Sequence, residues 1–185
     1  MCPSGGVLSD ESMDALFLEE SLAVLTRTPR VLDALLRDLP DAWTLATEGP
    51  GTWSPYVVIG HLIHAEHVDW MPRIEIILQH GVARPFDAFN REGQLAEERK
   101  TLPALLDEFA ACRASSLQRL REINLQTADL ERQGMHPGLG VVTMRQLVAT
   151  WTAHDLAHIL QISRVMAKRY KSDVGPWAQY LSVMG

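Results

Sequence analysis

Apolar residues recur three and four positions apart over most of the chain, the spacing of one face of an α-helix. Between Asp10 and Leu39 the series runs Met13, Leu16, Phe17, Val24, Leu25, Val31, Leu32, Leu35, Leu36 and Leu39. It predicts an amphipathic helix with a kink or local break at Pro29 and an end at Pro40. Residues 40–53 carry two prolines and two glycines and read as a loop. A second helix is expected from Ser54-Pro55 to about His80. Serine caps a free amide, proline loses no bond at the first helical position, and Gly81 supplies a stop. Pro72 lies inside it and predicts a kink near Val68 to Met71.

Residues 81–100 are polar and mixed, a long connection between helices. A third helix is predicted over Leu102 to Asn124, with Leu105, Leu106, Phe109, Leu117 and Leu120 on one side. Residues 125–142 contain Gly134, Pro137, Gly138 and Gly140 and read as another loop. The fourth helix opens at Thr143, with Gln146 three residues on in a capping-box pattern, and runs to about Lys171. A short helix from Pro176 can follow. No stretch alternates over the length of a convincing strand set. The expected class is all-α: four long helices with two long connections, a four-helix bundle that need not run simply up and down.

Composition narrows the reading. At 185 residues the chain suits one domain, expected over 10–185 after a flexible N-terminus at 1–9. A formal net charge of -6 argues against a nucleic-acid partner, which requires a basic face to neutralise phosphates. The two cysteines, Cys2 and Cys112, suit a reducing compartment, and no bridge between them is expected. Residues 1–9 lack a secretory pattern, and no apolar run reaches the roughly 18 residues of a membrane span. A cytoplasmic location without membrane attachment is therefore the default expectation.

Candidate chemistry lies in the histidines. On the fourth helix one face reads Leu147, Trp151, His154, His158, Ile162, Val165, so two histidines one turn apart occupy positions that should be buried. On the second helix the series Val58, His61, Ala65, Val68, Pro72 again places a histidine where a core residue is expected. An unpartnered buried polar group costs roughly 1–3 kcal/mol. A divalent ion would satisfy all three imidazoles and keep an open position for water or substrate. His61, His154 and His158 are thus the candidate metal ligands. His64, His67, His80 and His136 are expected to be ordinary surface or boundary residues. The five tryptophans, Trp43, Trp53, Trp70, Trp151 and Trp177, are expected to anchor the core or a dimer face.

The segments TWSPYVVIGHLIHAEHVDW and TMRQLVATWTAHDLAHILQISRVM resemble the second and last bundle helices of the DinB-like superfamily. The resemblance covers roughly residues 10–170. It implies a four-helix bundle with up-down-down-up connectivity and a divalent metal, often zinc or nickel, held at His61, His154 and His158. It also implies a homodimer. The activity it implies is that of a thiol S-transferase joining a low-molecular-weight thiol to a small electrophile. A metal-dependent hydrolase and a non-catalytic metal-binding bundle are the alternatives. No catalytic residue is assigned. Asp155 is either an outer partner of a ligand imidazole or a solvated helix charge, and Gln161, one turn beyond His158, is expected near the site. Glu66, Asp69 and Arg73 are expected at the bundle surface, with lining of the site as the other reading.

Overall fold

The structure is a computed structural model that describes residues 10–96 and 100–185. The expectation of a flexible segment at 1–9 lies outside the described residues, as does Cys2. Seven α-helices are present among them: α1 (Asp10–Leu36), α2 (Asp41–Thr44), α3 (Pro55–Val68), α4 (Trp70–His80), α5 (Leu102–Ile123), α6 (Thr127–Leu130) and α7 (Met144–Lys168). Four rods make the bundle: α1, α3 continued by α4, α5, and α7. α1 packs against α5 and α7, and α3 packs against the same two. Rods successive in the chain, α1 with α3 and α5 with α7, therefore sit diagonally across the core.

The local signals explain the helix ends. Ser54 accepts the amide of Val57, with Pro55 at the first helical position. Thr143 accepts the amide of Gln146 at 3.2 Å, and the Gln146 carboxamide accepts the amide of Thr143 at 2.9 Å. α5 ends on Asn124 in the left-handed region, φ 53°. Leu25, Leu32 and Leu36 of α1, Val58 and Ile59 of α3, Phe109 of α5 and Ile162 of α7 are fully enclosed.

Three expectations are corrected. Pro29 does not break α1, which runs continuously to Leu36. Proline removes the amide that would bond the carbonyl of Leu25, and the Arg113 guanidinium donates to that carbonyl instead at 3.0 Å. The helix stays whole because a side chain replaces the missing donor. The second predicted helix is two helices. The interruption falls at Asp69 (φ −111°, ψ −72°), inside the Val68–Met71 stretch where Pro72 predicts a kink, but Val68, assigned to the buried face, is exposed there. The third correction concerns residues 125–142, read as loop. They hold α6 and an antiparallel hairpin of β1 (Gln133–His136) and β2 (Gly140–Thr143). The hairpin lies against α4 and the segment after it: the amide of Phe86 donates to the Met135 carbonyl at 2.9 Å. A Cβ at Gly134 would approach Ile77 Cγ1 and Phe86 Cζ to 2.7 Å, so only glycine lets β1 lie this close. No described helix is long and apolar enough to cross a membrane.

Candidate metal centre and its two cavities

α3 delivers His61, and α7 delivers His154 and His158 from one face. The Nε2 atom of His154 lies 3.1 Å from that of His61 and 3.1 Å from that of His158. One nitrogen from each of the three falls within 4.8 Å of the other two. Zinc–nitrogen bonds of 2.0–2.1 Å in a tetrahedron set neighbouring donors about 3.3 Å apart, so the observed spacing fits a single ion. All three predicted ligands are brought together as expected.

Electrostatics favour neutral rings. Burial pushes the His61 imidazolium down to about 4, with His158 adding to the effect. Burial pushes His154 to about 3, reinforced by His158, His61 and Arg113. His158 is also lowered by burial, against an opposing contribution from Gln161. Neutral imidazole is the form that binds a metal. The Nδ1 of His158 lies 2.8 Å from the Gln161 carboxamide oxygen. That acceptor places the ring proton on Nδ1 and leaves Nε2 as a lone pair facing the other two histidines. Gln161 thus stands as the outer partner of a candidate ligand ring. Replacing it by leucine is expected to weaken binding of added zinc about 10–100-fold. Competition against a chromophoric chelator would measure this, and an unchanged affinity would separate Gln161 from the site.

Depressed histidines also link stability to pH. In the unfolded chain each takes up a proton near pH 6.5, whereas the folded protein holds His61 and His154 neutral down to about 4 and about 3. The unfolded state therefore binds more protons below pH 6.5, and stability is lost as the pH falls from there. Chelator-treated protein should lose about 2 kcal/mol per histidine between pH 7 and pH 5. Denaturant titrations at the two values would test it. A flat profile would contradict the burial of the neutral rings.

Asp155 is neither a partner of an imidazole nor solvated. It is fully buried and receives the Arg113 guanidinium through two bonds, 2.5 Å from Nη1 and 2.9 Å from Nη2. Nε of Arg113 donates to Glu66 at 2.9 Å, and the Trp151 indole donates to the same Glu66 oxygen at 3.2 Å. Glu66 is 5 % exposed, so its surface assignment is corrected. With Leu25 included, Arg113 joins all four rods. One guanidinium against two carboxylates leaves a formal charge of −1 behind the ligand helices, which favours a cation in front of them.

Asp69 and Arg73 are also buried rather than on the surface. Nε of Arg73 lies 2.5 Å from a carboxylate oxygen of Asp69, and both line a cavity of about 340 Å³ that ends on the three ligands. Its walls are apolar, built from Trp70, Phe86, Phe89, Leu139, Val142 and Leu147, with His136 and Arg91 at the polar margin. A second cavity of about 580 Å³ meets it at Arg91 and His158. Its lining is polar: Glu48, Thr52, Asn90, Arg91, Glu92 and Gln161, with Trp53 against the centre. The Trp53 ring lies 4.8 Å from that of His61 and stacks on His158 at 6.4 Å.

Arg113, Trp53 and His136 are the site residues that sequence reasoning did not find. Trp53 carried a signal, since it stands directly before the Ser54 cap of a ligand helix. The other surface assignments divide. His80 is exposed, and His67 is exposed, 3.5 Å from the Cys112 thiol. His64 is half-buried against Phe89. Trp70 and Trp151 stack in the core as expected, and Trp177 is exposed.

A four-helix bundle closing on three histidines, all lining one cavity and one of them also lining a second, defines a class of helical proteins whose core could hold a metal ion. Residues 25–162 match the sequence profile of the DinB superfamily, and the chain belongs to it. The fold is similar to that of YfiT from Bacillus subtilis, described as a probable metal-dependent hydrolase with an unusual four-helix bundle topology. The TM-score is 0.71 at 16% identity, over 93% of this chain and 94% of that one. The resemblance and the four-helix bundle expected from it are thereby borne out. A search of curated protein sequences finds no match.

Proposed function

We propose that the protein is a metal-dependent enzyme that joins a low-molecular-weight thiol to a small electrophile. The carrying observation is that His158, which lines the aromatic cavity together with His61 and His154, also lines a second cavity of opposite character. A one-substrate reaction requires one cavity, whereas a transfer needs two molecules to meet. The polar cavity beside Gln161 and Asn90 suits a hydrophilic thiol, and the aromatic cavity beside Trp70 and Phe89 suits an apolar electrophile. Zinc or nickel, the ions the family resemblance implies, is the proposed ion, and an all-imidazole donor set is compatible with both. A divalent ion bound there lowers the pKa of a coordinated thiol or water and polarises an electrophile. The chain's own residues orient the two partners: Gln161 fixes His158, and Trp53 closes the side between the cavities. In the transfer a sulfur–carbon bond forms, the bond from that carbon to its leaving group breaks, and the thiol proton passes to solvent.

Zinc- or nickel-loaded protein would be assayed with glutathione or cysteine and monochlorobimane, which fluoresces on thiolation. Saturable product formation is expected in both substrates, removed by chelator and by His154→Ala. The hydrolytic reading has one observation of its own, the Asp69 carboxylate on the wall of the catalytic cavity, raised by burial and so closer to a proton acceptor at neutral pH. Metal-dependent cleavage of aryl esters without thiol transfer would favour it over the transferase. Metal binding with neither activity across both panels would leave a bundle in which the ion only ties α3 to α7.

A further inference from the structure

Arg73 is 8 % exposed, and its Nε faces Asp69. No hydrogen bond engages its two Nη atoms among the described residues, and Arg73 borders the cavity that ends on the three histidines. Its Nε is buried without a hydrogen-bond partner, and the guanidinium keeps donors that a ligand in the cavity can engage. His136 stands beside it. Its Nδ1 accepts the amides of Gly138 at 3.0 Å and Leu139 at 3.1 Å, so the ring proton resides on Nε2 and that atom is a donor. The hairpin turn thus sets the tautomer of a histidine on the cavity wall. Both groups touch Phe86: the Arg73 guanidinium is 5.2 Å from its centroid and the His136 ring is edge-on at 6.2 Å. Two donors thus border one aromatic side chain in the cavity wall formed by α4 and the hairpin.

We infer that this cavity binds a small molecule with an apolar, planar body and a carboxylate. The carboxylate pairs with the Arg73 fork and the His136 Nε2–H, and the reactive end points to the histidine centre. The fork matches two carboxylate oxygens at once, which an amide cannot reproduce. Asp69 occupies the Nε side of Arg73, and both residues line the cavity. The inference rests on taking this cavity as the substrate side of the proposed enzyme, but it concerns recognition and not reaction.

The test compares trans-cinnamate with trans-cinnamamide by calorimetry on the full chain, once zinc-loaded and once after chelation. The acid is expected to bind at least about tenfold more tightly than the amide in both preparations. Persistence without zinc assigns the preference to the arginine and not to carboxylate coordination. In the double variant Arg73→Met with Asp69→Asn, which leaves no buried carboxylate unpaired, the preference should vanish while cinnamamide binding stays within about twofold. Equal binding of acid and amide by the unaltered protein overturns the inference, as does binding of neither, or a preference abolished by chelation. Because these results need no turnover, they stand apart from the thiol-transfer assay, whose failure would leave a carboxylate preference intact.

Discussion

Substituting His154 by alanine is expected to lower zinc affinity by more than about 100-fold, since loss of a mere outer partner of a ligand costs 10–100-fold. His154 is the middle donor. Its Nε2 is 3.1 Å from both other ligands, and its removal leaves two nitrogens on different helices with no shared neighbour between them. His158→Ala should act in the same direction, because it takes away a ligand together with the ring that Gln161 orients. Metal content of protein purified without a histidine tag, followed by zinc titration in competition with a chelator, measures both. Retention of one equivalent of tightly held zinc in His154→Ala would remove this residue from the centre.

Arg113→Met carries the second large effect, and here the readout is stability. The change strands two buried carboxylates, those of Glu66 and Asp155, and frees the Leu25 carbonyl that Pro29 cannot serve. Breaking a buried pair from one side costs about 3–5 kcal/mol, because an uncompensated charge remains. That is a large share of a typical domain stability of about 5–15 kcal/mol. Combining Arg113→Met with Glu66→Gln and Asp155→Asn should restore part of the loss, since the charges go with their partner. Denaturant midpoints of the single and triple variants separate the two effects. A loss below about 1 kcal/mol in the single variant would mean that water or a shifted carboxyl already compensates the pair.

The comparison of these two sites shows what a linear pattern can carry. His61, His154 and His158 were legible because each replaces an apolar residue inside an apolar series, so position on a helix face declares its burial. Glu66, Arg113 and Asp155 are buried, more deeply than the half-buried His154 and His158, yet a charged residue between apolar ones on a helix reads as part of the solvated face. Only the mutual satisfaction of three helices makes them buried, and the partners are 42 to 88 residues apart. Pro29 is the same case seen from the backbone. Its lost bond predicts a break, and the donor that takes up the freed carbonyl arrives from α5. The hairpin was hidden for a different reason. Each strand is four residues long and rich in glycine, so neither length nor alternation separates it from a loop, and His136 was lost with it. Helix ends were legible where the signal is local, as at Ser54, Thr143 and Asn124.

The interruption at Asp69 divides labour along one rod. In an unbroken helix, residues 61 and 73 would stand about 18 Å apart and about 120° out of phase, and they could not border one small chamber. Past the break α4 continues the rod and places Arg73 in the cavity wall, while α3 brings His61 to His154 and His158 of α7. The histidine triad and the Arg73 wall thus belong to different helices joined at a single residue. A substitution in α4 or the hairpin can reshape the cavity while the spacing of His61, His154 and His158 on α3 and α7 stays as it is.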